Sequence, residues 1–306
     1  LVENTVQEWY NAKHATSSIF EIEFINSLDI KQCPFCGSND FIKYSHKKDR
    51  TQRYICKECG KHFTALMNTI FDSKKTPIFE WIEYLLHLFE FHSINSTAYD
   101  NRNSPTTGKY WLIKTFEVLK GIQDDVVLDG TVYLDETYFT KLRSKLVTKD
   151  GKKLRGISRN KIGVGVACNE TKSIFIVTGT SKPSRKSTIE TYGKHIARGS
   201  VLVHDDEHSH SILIEELELE SKVYPTKVTK GLSDKDNPLY PVNNLHLLLK
   251  QFIRNHGAYV REHPQEWLSL FWFIMSEPKD MYKLTSGHIS LFQMSLKILF
   301  IFMHSS

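Results

Sequence analysis

Three groups of residues have the types and spacing to do chemistry. The first is a pair of knuckles, Cys33-Pro-Phe-Cys36-Gly and Cys56-Lys-Glu-Cys59-Gly, with nineteen residues between Cys36 and Cys56. Each CxxC turns two thiolates toward one point, the following glycine permits the turn, and two such knuckles complete a tetrahedral four-thiolate Zn2+ site. The competing readings are four free thiols in a core, or a redox pair, which would call for a single CxxC on a βαβ unit. The second group is two aspartates. Asp135 lies in Leu134-Asp135-Glu136-Thr137-Tyr138, and Asp205 directly follows Val201-Leu202-Val203-His204. A carboxylate closing an apolar strand is costly unless it is solvated, paired or holding a cation. For either alone a strand-end cap is the commoner reading. Together they offer hard oxygens suited to Mg2+ or Mn2+, and two ions bridged there would support in-line phosphoryl displacement by water or a 3′-hydroxyl.

The third group is Asn243, His246, Lys250 and Arg254. If the segment is helical, their spacing puts them on one face, with Leu245, Leu248, Leu249 and Phe252 on the other. Beside two carboxylates such a polar stripe suits metal and phosphate; by itself it is equally an exposed amphipathic face.

These residues need particular elements to position them. Strands are expected at 126–139, 161–169 and 173–180, a helix at 187–197, a strand at 201–203, a helix at 209–220, a strand within 221–228, and helices at 243–256 and 264–275. This is the element order of an RNase-H-like mixed α/β sheet with helices on its faces. In such a sheet the first and fourth strands are neighbours, so Asp135 and Asp205 would meet. Upstream, Ile78–His92 reads as a central packing helix. A short helix near 93–99, a turn at Asn101–Asn103 and a Ser104-Pro105 helix start follow, leaving Thr106, Thr107 and Lys109 available to a DNA groove. A small helical linker is the alternative. The fold class expected is therefore multidomain α/β: a zinc ribbon over 1–70, a helix-turn-helix-like domain over 71–122 and an RNase-H-like domain over 123–306.

Composition sets the bounds. With 306 residues, 40% hydrophobic and 25% charged, the chain is ordinary globular material. Its net charge of +5 permits a polyanionic partner without requiring one. Charge position says more. Residues 140–159 carry eight Lys/Arg against the single acid Asp150, a basic loop suited to phosphate or simply solvated. Lys43, Lys47, Lys48, Arg50 and Arg53, interleaved with Phe41 and Tyr44 between the knuckles, make a basic hairpin of the same two readings. The first residues, LVENTVQEWYN, show no signal-peptide pattern. The apolar stretch 288–303 is interrupted by Gln293 and Lys297, short of the ~18 residues of a membrane span, and reads as a buried helix. Paired cysteines fit a reducing compartment.

Taken in order, CPFCG…CKECGKHFT, LDETYF, HDDEHSH and VNNLHLLLKQFIRNHGAYV resemble the zinc-ribbon insertion-sequence transposases of the ISXO type, whose RNase-H-like domain carries a DD(E/N)–K signature. The resemblance runs over most of the chain and is loose only in the helix-turn-helix. It implies that Asp135 and Asp205 are the first two acids, Asn243 holds the third position, and Lys250 is the signature lysine. Asn243 would contribute a neutral oxygen, as in family members with Asn at this position, where others have Glu. His246 or Asp206 could stand in for a neighbour, Glu262 and Glu266 are weaker third acids, and Glu136, on the opposite strand face, is expected to be structural. The resemblance further implies structural Zn2+, catalytic Mg2+ or Mn2+, element-end and target DNA as partners, a homo-oligomer on DNA, and a bacterial cytoplasmic, nucleoid-associated setting without membrane. A domesticated or inactive DNA-binding relative and a zinc-ribbon nuclease are the competing functions.

Overall fold

The computed structural model describes residues 19–276 apart from 70, 73, 75, 102, 142–146, 153, 155 and 257–262. The stretch 288–303, Glu262, and parts of the basic loop that include Lys153 and Arg155 lie outside the described residues. Two compact units divide at Val118/Leu119.

The first unit opens with helix α1 (Ile19–Ser27), then a three-stranded antiparallel sheet of β1 (Phe41–His46), β2 (Gln52–Cys56) and β3 (His62–Phe63). Its core is small: Phe41, Tyr54 and Phe63 pack ring against ring at 5.4–5.8 Å beside Cys33 and Cys56. So few apolar groups offset little of the conformational entropy of ordering this sheet. Three helices follow, α2 (Ile78–Phe89), α3 (Ile94–Asp100) and α4 (Pro105–Val118). Buried Glu21 accepts from the Ile78 amide at 3.0 Å and pairs with Lys74 at 2.7 Å, placing a carboxylate at the positive end of α2. Ser93 caps α3 through the Ser96 amide, and Ser104 caps α4 through the Thr107 amide with Pro105 in the first turn. Trp111 of α4 stacks on Trp81 and meets Tyr84 edge-on. Gly108 is required at this crossing, because a Cβ there would lie 2.7 Å from the Tyr84 ring.

The second unit is built on a five-stranded sheet. Its strands are β4 (Thr131–Thr140), β5 (Lys161–Cys168), β6 (Ser173–Thr180), β7 (Val201–His204) and β8 (Glu220–Val223), in the order β6-β5-β4-β7-β8. The β4–β5 and β5–β6 pairs are antiparallel; β4–β7 and β7–β8 are parallel. The first and fourth strands of this sheet are thus neighbours, as the element order anticipates. One face packs Val132, Leu134, Ala167, Ile174 and Leu202 against α5 (Arg185–Tyr192) and α6 (Ser211–Leu217). The other meets α8 (Tyr240–His256) and α9 (Pro264–Ser276), with Phe175, Phe252 and Phe271 in mutual ring contact. Trp272 donates to the Ser173 carbonyl and Gln265 accepts from the Val177 amide, fixing α9 to β6. A single-turn helix, α7 (Thr226–Thr229), lies between β8 and α8.

Boundaries differ from expectation where backbone punctuation intervenes. Residues 126–130 do not join β4, because Leu128 bridges Ile196 and Gly130 adopts φ 69°. Helix α6 ends at Leu217, where Glu218 turns left-handed at φ 54°. Pro225 starts α7, so the strand expected within 221–228 stops at Val223.

Candidate metal centres and active site

The two knuckles fold alike. Gly37 N donates to Cys33 O at 2.9 Å and Gly60 N to Cys56 O at 3.0 Å, with the glycines at φ 75° and 67°. The loops carry all four Sγ atoms to one place: Cys33–Cys59 are 3.7 Å apart, Cys36–Cys56 3.6 Å, and all lie within 4.8 Å of one another. Thiolates about 2.3 Å from a tetrahedral ion are separated by about 3.8 Å, so the donor set fits Zn2+. Backbone N–H groups of Cys59 and Glu58, with neighbouring thiols, lower Cys56 toward its thiolate, whereas burial and the same neighbours raise Cys36.

The aspartates come together through sheet register. In the parallel β4–β7 pair Leu134 sits opposite His204, so Asp135 in β4 and Asp205, the first residue past β7, follow at neighbouring positions; Asp135 meets His246 of α8, whereas Asp205 lies beside His210. Asp135 is pushed up to about 7, by burial first and then by the negative charges of Asp205 and Glu136. Burial also raises Asp205, although His210 and the Glu207 amide oppose it. Asp135 does not close its strand as expected but sits in the middle of β4, the central strand, while Asp205 directly follows β7. Two neighbouring carboxylates driven toward protonation are a donor set that a divalent cation would relieve.

The α8 stripe is divided by packing. Val242, His246, Leu249, Phe252, Ile253 and His256 form the buried ridge, while Asn243, Lys250 and Arg254 are exposed. His246 reaches Asp135, with Nδ1 3.6 Å from Asp135 Oδ2. Burial, and then the Lys250 charge, hold this imidazole down to about 4 and therefore neutral. Its Nε2 is buried without a hydrogen-bond partner among the described residues. Asn243 lies one turn earlier on the exposed side. The reason for the division is that α8 lies close on β4 and β5, so its contact ridge is narrower than the apolar face that the sequence outlines. Glu266 pairs with His263 at 3.8 Å rather than with the aspartates.

Glu136 points through the other face, as strand alternation requires, and is buried with 4% of its side chain exposed. It accepts from Tyr192 Oη at 2.9 Å and contacts His210 Nε2 at 3.2 and 3.3 Å. These contacts overcome its desolvation and keep it ionised below its ordinary range. The Tyr192 hydroxyl crosses over Gly165, Glu136's partner on β5, where any Cβ would collide with it. His204, His210, Tyr192 and Gly165 were not singled out by sequence reasoning. The only signal was the density of histidines in HDDEHSH.

No family model and no curated protein matches the chain. Among solved structures it is similar to the pre-cleavage Mos1 transpososome, at 14% identity and TM-score 0.25 over 66% of this chain and 77% of that one. The Mos1 mariner paired-end complex with Mn gives the same identity, TM-score and coverage. A simian T-cell lymphotropic virus intasome in complex with PP2A regulatory subunit B56 gamma gives 9%, 0.28, 62% and 67%. Among the described residues no helix is long and apolar enough to cross a membrane.

Proposed function

We propose that the chain is a DNA transposase of the zinc-ribbon insertion-sequence type, with structural Zn2+ in the ribbon and Mg2+ or Mn2+ at Asp135 and Asp205. The observation that carries this reading is that Asp135 and Asp205 directly follow the paired residues Leu134 and His204 of β4 and β7, with carboxyls destabilised enough to favour a cation. When bound, divalent ions polarise a scissile phosphate and ease ionisation of the attacking hydroxyl. Asp135 and Asp205 would hold those ions. Neutral His246 would hold the Asp135 carboxylate in place, and exposed Lys250 would meet a DNA phosphate as a point charge. Asn243 in the third position would lend an amide oxygen or a hydrogen bond.

DNA is the partner that fits the exposed surface of the first unit. On the ribbon, Tyr44 stacks near His62, and Lys61 lies 4.7 Å above the Phe35 ring. On α4, Thr106, Lys109, Tyr110 and Ile113 are exposed, as a helix reading a major groove would need. Assembly as a homo-oligomer on element ends and a bacterial, nucleoid-associated setting complete the proposal.

The test is an assay of cleavage and strand transfer on element-end DNA with Mg2+ or Mn2+. Wild type is expected to cut and join. Asp135→Asn and Asp205→Asn are expected to abolish both while DNA binding persists. Asn243, neutral and exposed at the third position, favours one second reading, a DNA-binding relative that no longer cuts. Wild type inert with either metal would support it, and cleavage surviving both Asp substitutions would overturn the site.

A further inference from the structure

Apart from the four cysteines, the described residues contain two further groups of three side chains able to ligate one ion. They are His87 with Glu90 and His92, and His204 with Asp205 and His210. The first is a surface group whose His–Glu gaps are 4.0 Å. The second is a built site. His204 Nδ1 and His210 Nδ1 face each other at 3.2 Å. Asp205 Oδ1 lies 3.9 Å from His210 Nδ1, which is wholly buried, while Asp205 remains 30% exposed. Two ligand nitrogens about 2.1 Å from a common ion stand about 3.0–3.4 Å apart, so the observed separation suits one metal.

The far side of each ring is also engaged. His210 Nε2 meets both Glu136 oxygens at 3.2 and 3.3 Å, and His204 Nε2 meets Ser221 Oγ at 3.1 Å. An ionised carboxylate only accepts, so His210 carries a proton on Nε2, and in the neutral ring its Nδ1 lone pair faces inward. The Ser221 hydroxyl can accept from His204 Nε2–H and turn the second lone pair to the same point. Imidazoles oriented from behind by a carboxylate and a hydroxyl, with a carboxylate at the open side, are the usual construction of a histidine metal site. An N–H···N bond between the two rings would have the same separation, and experiment separates the two.

We propose that His204, Asp205 and His210 form a two-histidine, one-carboxylate site for a borderline divalent transition metal of the Zn2+, Co2+ or Ni2+ class, in preference to Mg2+ or Ca2+. Two imidazoles select against the hard alkaline-earth ions. Asp205 belongs both to this site and to the pair with Asp135, so an ion held here competes for that carboxylate. The inference rests on ligand geometry and stands whether or not the chain cuts DNA.

Full-length protein with zinc already in its four-cysteine site is titrated with Co2+, and the visible d–d absorption is followed. The expected result is one Co2+ per chain with nitrogen and oxygen ligation, no thiolate charge-transfer band, and no displacement by Mg2+. His204→Gln, His210→Gln and Asp205→Asn should each weaken binding by about tenfold or more. Ser221→Ala removes only an orienting contact, and should weaken binding by about tenfold even if a histidine variant fails to fold. Absence of the d–d band, or a band unchanged by Ser221→Ala and by every histidine variant that folds, would overturn the proposal.

Discussion

The four-cysteine cluster and the Asp135–Asp205 pair gather ligands in opposite ways. In the ribbon, two tight turns each bring two sulfurs together within four residues, and one antiparallel hairpin joins the halves. In the sheet, the acids stand seventy residues apart, and adjacency arises only because β7 pairs with β4 in one parallel register. Ligands set by local turns depend on few other residues. Ligands set by register depend on every side chain that holds the sheet and its helices in place. The ribbon should therefore fail with its metal, whereas the sheet site should fail through its packing.

The largest effect expected is in the ribbon. Cys56→Ala should abolish zinc binding and unfold residues 31–67, because a structural zinc supplies on the order of 10 kcal/mol of folding free energy. The sheet unit should keep its own thermal transition, read by calorimetry alongside metal analysis. Zinc retained at wild-type level would remove the four-thiolate assignment.

The next effect is a packing effect at the sheet. Gly165→Ala should cost about 1–3 kcal/mol by driving a methyl into Tyr192 and parting its hydroxyl from Glu136. Tyr192→Phe in the same chain should recover part of that loss. No recovery in the double variant would mean that the crossing over β5 is not the source of strain.

Asp135 supplies a pH signature of comparable or smaller size. Its folded pKa of about 7 lies above the 3.8 of an unperturbed carboxyl. Between those values the folded chain holds a proton that the unfolded chain has lost. The Asp135 contribution to the stability of metal-free protein should thus be fully present below pH ~4 and be lost as pH rises toward ~7, by on the order of 1–3 kcal/mol. Asp135→Asn should flatten the decline, and saturating Mg2+ should reverse it. A metal-free stability profile identical in wild type and Asp135→Asn would show that the carboxyl is not destabilised.

Smaller effects probe the edges of the comparison. Asn243→Ala should lower cleavage by about tenfold, roughly 1.4 kcal/mol of barrier, if the amide assists the chemistry. Asn243→Glu should then match or exceed wild type. Equal rates for all three would make the third position a bystander. Lys152→Ala, on the basic loop, should reduce the salt dependence of DNA binding by about one counterion, and an unchanged slope would place the loop away from DNA.

Much of the ribbon was legible because CxxC-Gly encodes its own turn, and Gly37 and Gly60 do take the left-handed conformation that those turns need. The α4 start was legible for the same reason, since Ser104-Pro105 acts locally. The division of α8 was not. Asn243, His246, Lys250 and Arg254 recur at helical spacing, but which of them turns inward depends on how α8 lies against β4 and β5, and only His246 is buried. Glu136 was legible as facing away from Asp135, because strand alternation is local. Its partners were not, because Tyr192 and His210 come from α5 and the turn before α6.

The sequence by itself determined the four-thiolate knuckles, the helix starts, the element order of the sheet unit and the candidacy of Asp135 and Asp205. All of these rest on steric and hydrogen-bonding preferences acting within a few residues. Tertiary structure alone decided that the aspartates occupy neighbouring positions, that burial lifts Asp135 to about 7, and that His204 and His210 turn their Nδ1 atoms toward one point. Register, desolvation and ring orientation are set by partners distant in the chain, and no local preference specifies which partners those will be.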